Sequence, residues 1–172
     1  MGNIFSIFSC VTKMTNNLKQ KITLIGSTGL IGANFLEQID PDDYQNVKAI
    51  SRRKIPNLEK KDFIKQSLHN FSELEKMRKD LKTDVLVNAL GTTIKKARSK
   101  DEFMKIDHDL PLKISRIAKE EGCRSMILIS AMGANSESNI YYSRVKGLLE
   151  IALEEIGFEE LHILRPSLLL GK

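Results

Sequence analysis

One short stretch constrains this chain more than any other: an apolar run that breaks into three glycines, each three residues after the last. Lys21-Ile22-Thr23-Leu24-Ile25 closes on Gly26-Ser27-Thr28-Gly29-Leu30-Ile31-Gly32. A run of that length bounded by glycine predicts a buried strand. Leu30 to Ile39, ended by Asp40-Pro41, predicts the helix that follows. The first glycine permits a tight turn, the second lets the backbone approach a pyrophosphate, and the third lets the helix pack close to the strand. The helix start at Leu30 then offers free N–H groups and the positive end of the helix dipole to phosphates. A glycine triplet alone is a weak signal. The strand before it and the helix after it favour a dinucleotide cradle over a turn with no ligand.

The rest of the chain repeats the alternation. Further strands are expected at Val47 to Ser51, more weakly over residues 63–66, and at Asp84 to Ala89, Met126 to Ile129 and Leu161 to Leu164. Helices are expected at Ser72 to Leu81, opened by a capping pattern, at Asp101 to Glu120 with Pro111 bending or restarting it, and at Tyr141 to Ile156. The strands are continuous apolar runs, so both faces are covered, as in a parallel sheet. The fold class is therefore α/β, a doubly wound parallel sheet of the NAD(P)-binding Rossmann type. Ligands of such sheets sit at the carboxyl ends of the strands. The 172 residues suggest one domain over residues 21–172 preceded by a tail over 1–20.

Composition narrows the partners. A net charge of +5 suits an anionic ligand or an anionic membrane face without selecting either. Cys10 and Cys123 lie far apart, outside any C-x-x-C spacing, which fits a reducing compartment. His69, His108 and His162 are scattered, so no metal site is expected. There is neither an aromatic-basic RNA motif nor a DNA-reading element, so nucleic acid is not an expected partner.

The end of the second strand reads Ile50-Ser51-Arg52-Arg53-Lys54. NAD-binding sheets place an Asp or Glu there to hold the ribose hydroxyls. This chain has no carboxylate in that stretch, and a guanidinium can grip a 2′-phosphate with two parallel hydrogen bonds. Arg52 and Arg53 are read as that clamp, with one further hydrogen bond from Ser51, and the expected cofactor is NADP(H). The plainer alternative is a solvated basic loop.

Tyr142 and Lys146 stand four apart on a predicted helix and so share a face. A free tyrosine has a pKa near 10, and a neighbouring ammonium favours the phenolate. On that reading Tyr142 exchanges a proton with a substrate oxygen. Ser130, at the end of a strand, hydrogen-bonds the same oxygen, and Lys146 also holds the nicotinamide ribose. Hydride transfer belongs to the cofactor. Tyr-x-x-x-Lys also occurs by chance on solvated helices; here it gains weight from the serine-bearing strand and the glycine loop.

The G-x-x-G-x-x-G spacing resembles the loop of extended and atypical short-chain dehydrogenases. Further blocks sharpen the resemblance: Leu90-Gly91-Thr92-Thr93-Ile94-Lys95-Lys96-Ala97, Ile106-Asp107-His108-Asp109, Ile129-Ser130-Ala131-Met132-Gly133-Ala134, Tyr142-Ser143-Arg144-Val145-Lys146-Gly147, and Leu164-Arg165-Pro166-Ser167-Leu168-Leu169-Leu170-Gly171. Together, over residues 21–171, the chain resembles the Tat-interacting-protein family of atypical short-chain dehydrogenases. The resemblance implies cofactor contacts at Gly26, Ser27, Thr28, Gly29, Leu30, Ile31, Gly32, Arg52, Arg53, Gly91, Thr92, Lys146 and near Pro166, with Ser130, Tyr142 and Lys146 as the catalytic set. It implies an NADP(H)-dependent oxidoreductase acting on a small carbonyl or alcohol. A catalytically silent NADPH-binding regulator or scaffold, with a protein partner, is the alternative. Animal members of the family are linked to transcription, nuclear import and apoptosis, and fungal members to mitochondria.

Two departures stand out. Family chains continue past the Arg-Pro block into a part that closes the substrate pocket, so this sequence is read either as truncated at its carboxyl end or as a binder that has lost turnover. And where extended dehydrogenases carry an Asn that completes a proton relay, this chain offers Asp107 and His108.

The tail begins Met1-Gly2-Asn3-Ile4-Phe5-Ser6, which fits the myristoylation pattern at Gly2. One acyl chain anchors only marginally; palmitoylation of Cys10 and contact of Lys13, Lys19 and Lys21 with anionic lipid would supply a second signal. The stretch Ile4 to Val11 is too short to span a bilayer. An unmodified tail packed on the domain is the equal alternative. The expected location is cytoplasmic, with peripheral membrane attachment if the tail is acylated, and mitochondrial as the alternative.

Overall fold

The computed structural model describes residues 20–40, 44–56, 58 and 61–167. The tail residues Gly2 and Cys10 lie outside them. In chain order the elements are β1 (Gln20–Ile25), α1 (Leu30–Gln38), β2 (Tyr44–Ser51), β3 (Ile64–Leu68), a 3-10 turn (Leu74–Met77) running into α2 (Arg78–Leu81), and β4 (Val85–Asn88). There follow α3 (Ile94–Ala97), α4 (Lys100–Met104), a π-turn (Lys105–Asp109), α5 (Leu110–Glu120), β5 (Ser125–Ile129), α6 (Tyr141–Glu154) and β6 (Glu160–Leu164).

The six strands form one sheet in the order β3-β2-β1-β4-β5-β6, every neighbouring pair parallel. This is the doubly wound sheet that the continuous apolar runs imply. All four residues of β4 are buried because helices cover both faces. On one face Phe35 and Leu36 of α1 pack on Ile22, Leu24, Val47 and Ala49. On the other, Met77, Leu81 and Ile114 pack on Ile25, Ile50 and Leu86. Leu149 and Leu153 of α6 cover Met126 and Leu128 on that second face. Each of these side chains larger than alanine contributes roughly 1.5–3 kcal/mol by leaving water. The strand order reverses between β1 and β4, which opens a crevice at their carboxyl ends.

The helix expected from Ser72 forms differently. The Asn70 side chain accepts the Ser72 N–H, and Glu73 N–H bonds the Asn70 carbonyl, so the chain turns before it coils. Ser72 caps nothing there; a 3-10 turn carries the chain to the single α-turn of α2. That turn is fastened from below. Asp80 lies 2.8 Å from Lys48 Nζ of β2, accepts from Ser67 Oγ of β3 at 2.5 Å and meets His69 Nε2 at 2.6 Å. Its carbonyl accepts from Thr23 Oγ1 of β1 at 2.8 Å.

Partial burial pushes the Asp80 carboxyl up, but its bonds to Lys48, Ser67 and His69 outweigh this and hold it at about 2, below the ordinary 3.8. A carboxylate held below its unfolded pKa stabilises the fold above that unfolded value and loses the contribution as pH falls through the folded one. Asp80→Asn is therefore expected to flatten the acid arm of the stability curve between about pH 4 and pH 2. Circular dichroism during acid titration checks this, and an acid arm like that of the unaltered chain would refute it.

Candidate functional site

The crevice is shaped by backbone. Gly26 ends β1 with φ +81°, and a Cβ placed there would lie 2.4 Å from the carbonyl carbon and oxygen of Ala89, which follows β4. No side chain fits. Gly29 N–H bonds the Gly26 carbonyl at 3.0 Å and closes the turn. A Cβ on Gly32 would lie 2.3 Å from Gly26 O and 2.8 Å from Ser27 Cα, so α1 presses directly on the loop. Thr28, Gly29 and Leu30 are exposed, whereas Ile31 and Gly32 are buried. Gly29 precedes α1 with extended backbone and no side chain caps that end, which leaves the first N–H groups for an anion. Ser27 plays a different part from a phosphate ligand through its hydroxyl. Its side chain is buried, and Oγ donates to the Ile50 carbonyl at 2.9 Å. That bond ties the glycine loop to the end of β2.

Beyond Ile50, Ser51 is buried and its hydroxyl donates to the Arg53 carbonyl at 2.7 Å while accepting from Gln66 Nε2 at 2.6 Å. Ser51 thus shapes the loop rather than offering a free donor. Arg52 and Arg53 stand exposed on it.

Tyr142 and Lys146 share one face of α6, as their spacing implies. Lys146 is nevertheless turned to a carboxylate. Its Nζ lies 2.7 Å from Asp107 Oδ1, with side-chain exposures of 4% for the lysine and 0% for the aspartate. Asp107 Oδ2 accepts the Thr92 N–H at 2.9 Å. Burial pushes the Asp107 carboxyl up, against the pull of Lys146 and the Thr92 amide. Tyr142 packs its ring on Phe103 at a centroid distance of 5.6 Å. The phenol was expected to be lowered by Lys146. The structure corrects this: burial, and then the Asp107 charge, push it up.

Asp107 reaches this position because the helix widens before Pro111. Proline has no N–H to return to the carbonyl four residues back, which is that of Asp107. The chain instead takes a π-turn over Lys105–Asp109, and Leu110 N–H bonds Lys105 O. The pairing of Asp107 with Lys146 was not legible from the sequence. The available signal was a proline inside a helix with an acid four residues before it.

Ser130 is bonded to a different residue of α6. It is buried, and its hydroxyl donates to Glu150 Oε1 at 2.5 Å. Glu150 is two turns beyond Tyr142 on α6, roughly 12 Å along the axis at 1.5 Å per residue. Arg165 closes the group, with Nε 3.1 Å from Oε1 and Nη2 2.6 Å from Oε2 of the same carboxylate. Gly91 is exposed after β4, close to both Asp107 and Lys146, and Thr92 is half-buried. The Pro166 carbonyl accepts Met132 N–H at 2.9 Å, beside the end of β5. Among the described residues, no group of three His, Cys, Asp or Glu side chains is placed to hold a metal ion.

Residues 22–143 match the model of the NAD-dependent epimerase/dehydratase family. Among curated proteins, the chain is 34% identical over 150 residues to "Protein FMP52, mitochondrial" of Eremothecium gossypii, covering 87% of this chain and 66% of that one. It is 36% identical over 157 residues to "Protein FMP52-1, mitochondrial" of Scheffersomyces stipitis, covering 87% and 67%. The chain thus spans about two thirds of the length of these relatives. Among solved structures it resembles the UDP-glucuronic acid 4-epimerase of Bacillus cereus in complex with NAD, with TM-score 0.68, 16% identity and coverage of 86% and 55%. It also resembles the dTDP-4-dehydrorhamnose reductase of Bacillus anthracis in complex with NADP, with TM-score 0.66, 14% identity and coverage of 89% and 55%. These structural likenesses show the fold. The narrower resemblance to Tat-interacting proteins rests on the sequence blocks alone.

The cradle carries a direct test. Gly32→Ala forces a methyl group against Gly26 O and should cost about 1–3 kcal/mol, the usual range for overpacking. Gly29→Ala, whose Cβ would meet Gly26 O at 3.2 Å, should cost less. Urea unfolding of the two variants reads the difference, and equal midpoints would refute the close approach of α1.

Proposed function

The chain belongs to the NAD-dependent epimerase/dehydratase family, and from that premise we propose that it is an NADP(H)-dependent oxidoreductase acting on a small carbonyl or alcohol. The observation that carries this reading is the Ser27–Ile50 hydrogen bond at 2.9 Å, which draws the end of β2 to the glycine loop. The exposed guanidiniums of Arg52 and Arg53 follow directly on that end. A pyrophosphate on the α1 amides would leave the adenosine side near two cations and no carboxylate of the Ile50–Lys54 stretch. The residues fit the cofactor: Gly26 and Gly32 leave no side chain in the cradle. Loop residues Gly91 and Thr92, and the chain near Pro166, would line its other half. Bound there, a nicotinamide supplies or accepts the hydride.

The protein's own part is positioning and proton transfer. Burial, and then the Asp107 charge, hold the Tyr142 proton more firmly than in a free phenol. A neutral phenol is able to donate its proton to a substrate carbonyl oxygen. Lys146, expected to hold the nicotinamide ribose, lies beside Gly91 in a loop expected to contact the cofactor.

A second reading has its own support. Ser130 is committed to Glu150 and Lys146 to Asp107, so neither is free to assist Tyr142 in this arrangement. That favours a binder that senses NADPH and does not turn over substrate. The FMP52 relatives are named mitochondrial, which supports mitochondria as the location of this chain too.

Fluorescence titration should find NADPH bound at least about tenfold more tightly than NADH, a difference of about 1.4 kcal/mol. Arg52→Ala with Arg53→Ala should abolish the preference, and equal affinities in the unaltered chain would remove the clamp. Tyr142→Phe should keep NADPH affinity and lose carbonyl reduction. Absence of turnover in both forms would select the binder instead.

A further inference from the structure

Four observations converge on a residue that the proposed function does not need in order to bind its cofactor. Asp107 is wholly buried, at 0% exposure, on an irregular turn of helix. One carboxylate oxygen lies 2.7 Å from Lys146 Nζ. The other takes the Thr92 N–H at 2.9 Å, in the loop that follows β4. A Cβ added to Gly91 would sit 3.5 Å from Asp107 Oδ1 and 3.6 Å from Lys146 Nζ, so the ion pair lies directly against that loop.

We propose that Asp107 is a positioning residue: it clamps the Lys146 ammonium against the Gly91–Thr92 loop and sets the electrostatic surroundings of Tyr142. This deepens the oxidoreductase reading and rests on it for its catalytic meaning, but the clamp itself exists with or without turnover.

The physical case is one of competition for a single cation. An ammonium stripped of water must face a negative or strongly polar group. Asp107 supplies it at hydrogen-bond distance, so Lys146 is spent there. Tyr142 shares the α6 face with Lys146, and burial and then the Asp107 charge both favour its protonated phenol. The groups around it are few. The helix from Lys100 to Glu120 contributes Asp107, and α6 contributes Lys146 itself. Lys100 and Arg144 stand on the ring of Tyr141 instead, at 5.3 and 5.6 Å from its centroid. The Glu102–Lys105 pair is solvent-exposed and neutralises itself at 2.7 Å. His108 likewise turns to Asp109 at 2.8 Å. Asp107 is thus the buried anion that bears on the phenol. Asn at that position would keep the Thr92 hydrogen bond and the shape while removing the charge.

The test is a tyrosinate absorbance titration of the cofactor-free protein, with Tyr142→Phe assigning the Tyr142 signal. Asp107→Asn should shift the Tyr142 midpoint to lower pH, because the cation is released and the anion removed. Should that variant fail to fold, Lys146→Gln is compared with the double variant carrying both Asp107→Asn and Lys146→Gln. The two differ only in charge at position 107, and the double variant should again titrate at lower pH. A Tyr142 midpoint unmoved, or moved upward, in the comparison that folds would overturn the proposal. Because no cofactor or substrate enters this measurement, its failure is distinct from a failure of the oxidoreductase reading, which shows in NADPH titration and turnover.

Discussion

The contact between the end of β1 and the end of β4 leaves room for backbone only, and the rest of the site is built around that restriction. Gly26 lies so close to Ala89 that a methyl group would overlap its carbonyl. The same loop is pressed from behind by α1 at Gly32. With both sides fixed, the loop can expose only its middle residues and the first amides of α1. Its position relative to β2 is then set by one side chain, Ser27, whose hydroxyl reaches the Ile50 carbonyl. A constraint on sterics thus becomes a placement of charge, because Arg52 and Arg53 leave β2 at the point the loop has been tied to.

The fold was legible because it depends on patterns that survive in one dimension. Continuous apolar runs such as Val85 to Val87 and Met126 to Ile129 mark strands covered on both faces, and the sheet contains them. The glycine spacing located the first crossover for the same reason: each glycine answers a local steric demand. What failed to show in the sequence were choices between competing hydrogen bonds. Ser72 has a capping pattern, yet the Asn70 side chain takes its amide and delays the helix. Ser51 and Ser27 sit where a ligand contact was expected, yet both hydroxyls are spent on backbone carbonyls. A hydroxyl near a site has many partners within reach, and spacing alone does not rank them.

The site's charges were harder still. Tyr142 and Lys146 share a face as their spacing requires, but sharing a face does not decide which anion a lysine meets. That depends on Asp107, which a π-turn before Pro111 rotates inward from another helix. Ser130 repeats the lesson: its place at the end of β5 is legible, while its bond to Glu150, a carboxylate that Arg165 also holds, comes from elements far along the chain.

Two buried carboxylates therefore divide α6 between them. Glu150 gathers Ser130 and Arg165 at one level, and Asp107 gathers Lys146 and the Thr92 amide at another. Removing one partner of a fully buried pair such as Asp107–Lys146 typically costs about 3–5 kcal/mol, because the remaining charge is left buried and unmatched. The lysine therefore cannot drift between Asp107 and Tyr142 at little cost, and a helix that looks like a proton-transfer face is electrostatically stiff. Any event that separates the pair must give both Lys146 and Asp107 equally close partners.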